Sequence, residues 1–366
     1  MTPITRADVL VLSHRLSSIR LYGTGSNVTR DSVVVRVEDR DGAVGWGETF
    51  PVVGAVEAAR EMAAFVVGRA PETAIADVSA SGPVHRWALG AVAVAVDDLR
   101  AKQRGVPLGE LYRPRVRDRV EAYASSRGYV DGQSAERAWH DEAEAIRLEG
   151  FRALKLRIGR APLEQELPVL ASLIRGHAEL EWMADGNGAY GMDDALRLGR
   201  ELGWLGARWL EEPLPTNDYA AYAPLARALD IPLSGGEITE SPDLAIGPLD
   251  TGSFDIIQPD LSICGGVAPL LAIADAALAR GVGCIPHACN GGILLAATLQ
   301  VLAVLPALPA GPRWSMPILE YDVGENPIRT DLVLDLPPVT DGWLAIPERP
   351  GIGVEVDEAA VRRLAT

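Results

Sequence analysis

The stretch LEWMADGNGAYGMDDALRLGRELGWLGARWLEEP, Leu180 to Pro213, decides the fold. A short apolar run closes on Asp185, an amphipathic stretch follows, and a second short run closes on Glu211 and Glu212. Short bounded runs read as buried strands and the segment between them as a helix, so the unit is a parallel β-α-β crossover. The same rhythm runs outward in both directions. VEAYAS (120–125) and FRALKLR (151–157) precede it, and IPLSGGE (231–237), FDIIQPD (254–260), GVGCIPH (281–287) and PILEY (317–321) follow. Helical stretches such as SAERAWHDEAEAIRLEG (134–150) and GVAPLLAIADAALARG (266–281) separate them. Eight strand candidates of this kind imply a (β/α)8 barrel, with a large doubly wound sheet as the alternative that the rhythm leaves open.

The first third reads differently. DSVVVRVEDRDGAVGWGETF (31–50) is a hairpin turning at Asp39–Gly42. AVEAAREMAAFVVGR (55–69) is a helix expected to stop near Pro71, and VHRWALGAVAVAVDDLRAKQRG (84–105) is a long helix ending at Gly105. The expected division is an N-terminal α+β domain over 1–119, a barrel over 120–322, and a C-terminal segment over 323–366 that packs back on the N-terminal domain.

Composition narrows the classes. The 366 residues are 48% hydrophobic and 23% charged, which suits a large core. The three cysteines, Cys264, Cys284 and Cys289, form no CxxC pair, so a reducing, cytoplasmic setting is expected. No signal-peptide pattern or long apolar run suggests a membrane. The formal charge of −16 argues against nucleic acid as a partner and means that an anion site needs local positive charge.

The chemistry lies at the strand ends. Asp185, Glu211, Glu237, Asp260 and His287 follow one another at 26, 26, 23 and 27 residues, one β-α unit each time. In such a barrel the C-terminal strand ends form the active-site face, so these residues should converge. Acidic residues at such junctions also cap the following helix. Three in register point instead to a shared counter-ion, because three carboxylates cannot all stay charged in one cavity without one. All-oxygen ligation favours Mg2+ or Mn2+ over zinc. His287 is expected to be a base oriented by Asp260. In FRALKLR, Lys155 and Arg157 point to one side of their strand, which places two cations in one interior.

Together these motifs resemble the mandelate racemase subgroup of the enolase superfamily. The resemblance spans DGAVGWGE, DDLRAKQRGVPLGELY, KLR, MADGN, WLEEP, GGE, QPDLSICGG, IPH and LEY, in this order. It implies a modified TIM (β/α)8-type barrel under an N-terminal α+β capping domain. It implies Mg2+ held by Asp185, Glu211 and Glu237, with Glu212 beside them and Asn187 facing metal or substrate. Lys155 and Glu320 would then stabilise an ene-diolate formed from a small carboxylate substrate, and Asp260 with His287 would be the catalytic dyad. A lysine stands in place of Asp260 in the muconate-lactonising and dipeptide-epimerase branch, which is therefore disfavoured. The resemblance also implies a homo-oligomer, a dimer or an octamer.

One position departs from the pattern. Arg157 stands where the family has the second lysine of a Lys-x-Lys pair, and arginine keeps its proton. His287 is left as the one base, which favours dehydration of a sugar acid to a 2-keto-3-deoxy acid over a racemase or epimerase. The Gly-rich LYGTGSNVT (21–29) reads as a lid over the barrel, with His14, Arg20 and Tyr22 as candidates for substrate hydroxyls. Two rivals are weaker. A metal-dependent hydrolase on this fold carries an early His-x-His pair that is absent here, and a non-catalytic metal-binding descendant would have lost a ligand or the base.

Overall fold

The computed structural model describes residues 1–80, 85–216, 218–308, 311–312 and 315–366. The chain opens as an antiparallel sheet of β1 (Ile4–Tyr22), β2 (Gly25–Asp39) and β3 (Val44–Thr49). The turn after β2 is built by Asp39, whose Oδ1 accepts from the backbone N–H of Asp41 and Ala43, both at 2.9 Å. Alternate residues Val33, Val35 and Val37 form a core with Ala91, Ala95 and Leu99 of α3 (Arg86–Arg104). Helix α1 (Ala55–Val66) ends before Pro71, and that proline opens a further helix, α2 (Pro71–Ala80). The first helix thus stops before Pro71 as expected, and the proline has a second role as the start of the next. Proline at the first helical turn gives up no hydrogen bond, so it starts a helix as readily as it ends one.

The second part begins with β4 (Arg119–Ser125), followed by the short β5 (Tyr129–Val130) and α4 (Ala135–Leu148). It continues as β6 (Ala153–Arg157), α5 (Leu163–Gly176), β7 (Glu181–Asp185), α6 (Met192–Trp204), β8 (Leu210–Glu211) and α7 (Tyr222–Ala228). Then come β9 (Leu233–Gly235), α8 (Pro242–Thr251), β10 (Ile256–Ile257), α9 (Val267–Leu278), β11 (Gly283–Cys284), α10 (Gly292–Val304) and β12 (Leu319–Asp322). The eight barrel strands lie parallel in the order β11-β10-β9-β8-β7-β6-β4-β12. At the seam between β11 and β12, Gly283 lets Ser315 approach so closely that a Cβ would sit 3.1 Å from the Ser315 Cα. Directly after β12, where a full barrel helix would follow, the chain makes the four-residue helix α11 (Pro327–Thr330), so the barrel is a modified one. It then runs as β13 (Trp343–Ala345) antiparallel to β4, and as α12 (Glu358–Leu364). The last residues return to the N-terminal sheet, where Thr366 N–H donates to Val11 O at 3.0 Å.

The barrel interior is layered. Tyr123, Ala153, Met183, Trp209, Ile256, Ile285 and Ile318, one from or beside each of seven strands, form a separate buried apolar cluster. Two residues further along each strand stand Ser125, Lys155, Asp185, Glu211, Gln258, His287 and Glu320. Side chains repeat every second residue along a strand, so a polar layer sits directly on an apolar plug.

Three contacts fix the cap over this layer. Glu48 of β3 accepts from the Gly291 and Leu294 N–H groups at the start of α10 (2.9 and 3.0 Å). Gly90 of α3 lies against the backbone of Ser262, where a Cβ would come within 1.9 Å of the carbonyl oxygen. Gly109, after α3, packs against the Gln300 carbonyl in the same way. Among the described residues no helix is long and apolar enough to cross a membrane.

Glycine to alanine normally stabilises a helix by up to ~1 kcal/mol. Gly90→Ala is expected to reverse that sign, lowering stability by roughly 1–3 kcal/mol in urea unfolding, because the Ser262 backbone cannot yield. Burial raises the Glu48 carboxyl to about 6, against the hydrogen bonds that oppose it. The native state therefore holds this proton more tightly than the unfolded chain, and its contribution to stability falls as pH rises from 4.5 to about 6. Glu48→Gln should flatten that slope, by on the order of 2 kcal/mol across the window, in unfolding curves measured at a series of pH values.

Candidate active site

Lys155 is fully buried in the middle of β6, yet its ammonium is paired on two sides. Its Nζ lies 2.5 Å from Glu211 Oε1 at the end of β8 and 2.7 Å from Glu320 Oε1 on β12, with Asp185 Oδ2 at 3.8 Å. Burial alone would lower the Lys155 pKa, but Glu211 and Glu320 outweigh it and hold the group well above the ordinary lysine range. Glu320 shows the converse: burial would raise it, but Lys155 and then His287 hold it well below the usual carboxylate range. Glu211 also accepts from Gln258 Nε2 at 2.8 Å and Trp209 Nε1 at 3.3 Å.

Arg157, at the end of β6, turns to the neighbouring strand. Its Nη1 donates to Asp185 Oδ2 at 2.9 Å and Asn187 Oδ1 at 3.1 Å, and Nη2 lies 3.5 Å from Cys289 Sγ. Asn187 also binds Asp185 through its own backbone N–H (2.9 Å) and Nδ2 (3.1 Å). It takes a left-handed backbone conformation at φ +44°, as does Glu212 at +33°. Such backbone is sterically costly for residues with a Cβ and is tolerated best by asparagine. Glu212 does not join the Asp185 cluster directly. It accepts from the Gly236 N–H at 2.8 Å, and burial followed by the charge of Glu237 raises it well above the usual carboxylate range.

Asp260 and His287 come together beyond the ends of β10 and β11. His287 Nδ1 is 2.8 Å from Asp260 Oδ2, and Asp260 Oδ1 accepts from Ser262 N–H and Oγ, both at 2.7 Å. With Nδ1–H given to Asp260, Nε2 is the nitrogen that faces the site, 3.3 Å from Glu237 and 4.0 Å from Glu320. Burial would lower the imidazole pKa, but these two carboxylates and the Asp260 hydrogen bond raise it.

A cavity of about 290 Å³ opens above His287, Glu237, Arg157 and Asn187. Its cap side is formed by Arg20, Tyr22, Asn27 and Arg30 of the β1–β2 hairpin, with Phe50 and Trp87 behind them. Arg20 and Tyr22 therefore face the site. His14 does not: its Nε2 lies 3.1 Å from Glu325 Oε1, outside the cavity lining. The segment 21–29, read as a lid, does lie over the cavity, but as paired strands and not as an open loop. β1 runs to Tyr22 and β2 starts at Gly25, so the segment is the paired tip of a hairpin, and the Thr24 hydroxyl donates to the Asn187 carbonyl at 3.3 Å.

Sequence reading missed Cys289, which lines the cavity beside Arg157. Its place two residues past His287, on the same strand-end loop, was the available signal. Arg127, two residues past the end of β4, carried the same strand-end signal, whereas Arg30, Phe50 and Trp87 carried none, because only the docking of the cap brings them to the barrel mouth.

Each of the three expected metal ligands is drawn to a cation: Asp185 to Arg157, Glu211 to Lys155, and Glu237 to His287. Among the described residues, the possible ligand atoms already gathered within 4.8 Å of one another are those of His287, Cys289 and Glu320 instead. Even so, six carboxylates (Asp185, Glu211, Glu212, Glu237, Asp260 and Glu320) face only three cations, Lys155, Arg157 and His287. The excess negative charge and the hard oxygen donors on neighbouring strand ends fit a divalent cation of the Mg2+ type.

A mixed α+β cap, a parallel barrel, a buried lysine among carboxylates and a His–Asp pair at the strand ends together define the class. The chain belongs to the mandelate racemase/muconate lactonizing enzyme family of the enolase superfamily. Residues 10–112 match the N-terminal domain of that family, and residues 138–360 match the enolase C-terminal domain-like family. D-galactarolactone cycloisomerase of Agrobacterium fabrum is 30% identical over 98% of this chain and 97% of its own. D-galactonate dehydratase of Xanthomonas axonopodis pv. citri is 31% identical over 90% of each. A racemase from Streptomyces coelicolor, solved with bound magnesium, superposes with a TM-score of 0.85 at 25% identity, over 99% of this chain and 100% of its own.

Removing one partner from a buried ion cluster leaves the others uncompensated, which costs about 3–5 kcal/mol. Lys155→Met is therefore expected to lower stability by that order in denaturant unfolding at pH 7. Adding Glu211→Gln to the same chain should recover part of the loss.

Proposed function

We propose that this protein removes the α-proton of a sugar acid and expels the β-oxygen, most simply as a dehydratase giving a 2-keto-3-deoxy acid. The observation that carries this reading is the asymmetry of the cavity wall. One side presents the imidazole of His287, backed by Asp260; the other presents the guanidinium of Arg157, already bound to Asp185 and Asn187. One wall can exchange a proton and the other only holds charge.

Asp185, Glu211 and Glu237 are the residues that would hold a divalent cation, Mg2+ or Mn2+. Such a cation, when bound, supplies Lewis-acid stabilisation of negative charge on the substrate carboxylate. The remaining work falls to the chain itself. Asp260 keeps the Nδ1 proton in place, so that Nε2 of His287 accepts the α-proton. For that, Glu237 must be engaged elsewhere than on His287, which its place among the metal ligands provides. As the α C–H bond breaks, charge flows into the carboxylate oxygens, where the Lys155 ammonium, held in place by the ionised Glu320, meets it. The β C–O bond then breaks, the proton on His287 leaves with the hydroxyl as water, and the enol product tautomerises to the ketone.

A second reading shares every step but the last. One relative matching nearly the whole chain is named a cycloisomerase. If the β-oxygen belongs to a ring, its departure opens the ring and no atom is lost.

Incubation with Mg2+ and a panel of sugar acids and their lactones in D2O, followed by proton NMR and mass spectrometry, separates these outcomes. Loss of the α-proton with loss of one water identifies the dehydratase, and an isomer of unchanged mass identifies ring opening. His287→Asn is expected to slow either by ~10²–10⁴-fold, the usual contribution of a general base. Exchange of the α-proton without elimination would overturn the one-base reading in favour of a racemase or epimerase, and chelation of the metal should abolish all three reactions.

A further inference from the structure

The charge of the cavity runs opposite to that of the chain. The protein carries a formal −16, yet Arg20, Arg30, Arg127 and Arg157 line the cavity, with Glu237 as the one carboxylate in its lining among the described residues. Three of these guanidiniums are committed. Arg157 binds Asp185 at 2.9 Å, Arg30 lies 3.2 Å from Asp322, and Arg127 lies 2.6 Å from Glu149.

Arg20 is the exception. Among the described residues no hydrogen bond or ion pair ties its guanidinium, and its Nε is buried without a partner. Glu142 attracts the guanidinium without contact, and that carboxylate accepts from Ser126 Oγ at 2.7 Å and Arg127 N–H at 2.6 Å. The Arg20 backbone is held on both sides, paired with Asn27 of β2 and with Val130 of β5. A rigidly mounted, partly buried guanidinium with no carboxylate in contact leaves its planar fork of donors open. A carboxylate matches that fork with two parallel, charge-assisted hydrogen bonds, which a hydroxyl cannot make.

We propose that Arg20 receives a second carboxylate, at the end of the substrate remote from the carbon served by His287. The substrate class is then a dicarboxylic sugar acid, or the monolactone of one, and not a monocarboxylic sugar acid. This rests on the proton-abstraction reading above and refines it. It also changes the sequence expectation for Arg20 from a hydroxyl contact to an anion receptor.

The test uses matched pairs of aldonic and aldaric acids that share a configuration at every common carbon. Each pair is assayed with the Mg2+-loaded enzyme in D2O, wild type against Arg20→Gln and Arg20→Lys. The wild type is expected to favour the diacid. Arg20→Gln should raise KM for the diacid roughly 10- to 100-fold, the effect of losing a charged hydrogen-bonding partner, with kcat changed far less. The diacid-to-monoacid ratio of kcat/KM should collapse, and Arg20→Lys should restore part of it. The proposal is overturned if the wild type handles the monoacid as well as its matching diacid, or if Arg20→Gln lowers both to the same extent. In both cases the exchanged α-proton shows that proton abstraction itself still stands. Failure of every acid and lactone to lose its α-proton would overturn both readings together.

Discussion

An ammonium with no access to solvent stands at the centre of the barrel, and the neighbouring strands are arranged around it. Lys155 is tolerable there only because Glu211 and Glu320 reach it from two other strands and Asp185 stands near on a third. Those carboxylates are in turn tolerable only with Lys155, Arg157 and His287 beside them. None of these groups could be buried alone, since isolated charge in a low-dielectric interior is strongly penalised. The layer is therefore a single electrostatic object, resting on the apolar plug formed by Tyr123, Trp209 and their neighbours. Its ring systems also meet the layer directly: the Lys155 ammonium lies 5.7 Å above the Tyr123 ring, and the Trp209 indole donates to Glu211.

This stacking explains why so much of the site was legible in the sequence. Met183 and Asp185, Trp209 and Glu211, Ala153 and Lys155 are pairs two residues apart, and each pair records plug below and polar layer above. Glu237, Asp260 and His287 lie beyond the ends of their short strands, so it was the repeat length of the β-α unit that marked them, not strand periodicity. His14 shows where this reasoning stops. It has the parity of Arg20 and Tyr22 and would share their face on a regular strand. Between Arg15 and Arg20, however, five residues of β1 pass only two of β2, from Thr29 to Asn27. The bulge breaks the regular parity between His14 and Arg20, and His14 lies against Glu325 instead, although its neighbour on β2, Arg30, still reaches the cavity lining. In the run SHRLSSIR the two apolar residues, Leu16 and Ile19, stand three apart, and this break in the strand period of two is the one mark the bulge leaves, with no glycine or proline beside it.

The same contrast separates the two halves of the site. On the barrel side, left-handed backbone at Asn187 and Glu212 is held by a ladder in which Gly186 N–H meets Glu211 O and Gly188 N–H meets Glu212 O, at 2.9 and 2.7 Å. Conformations that are costly on their own persist where the surroundings over-determine them, and here they aim Asn187 and its partner Asp185 at the cavity. On the cap side, the hairpin tip touches the barrel through small contacts: the Thr24 hydroxyl on Asn187 O, and Gly23 so close to Gly186 O that a Cβ would stand 2.8 Å away. A side chain at Gly23 would lift the tip and carry Arg20 and Tyr22 away from His287. The groups expected to move protons thus sit on strands whose register is fixed by buried charge. The groups expected to recognise the rest of the substrate sit on a hairpin that meets the barrel through the Arg20–Val130 and Leu21–Tyr129 pairs and the close approach of Gly23. Changes of substrate are consequently easier to make in the cap than in the barrel, since a cap residue can be exchanged without unbalancing the ion cluster around Lys155.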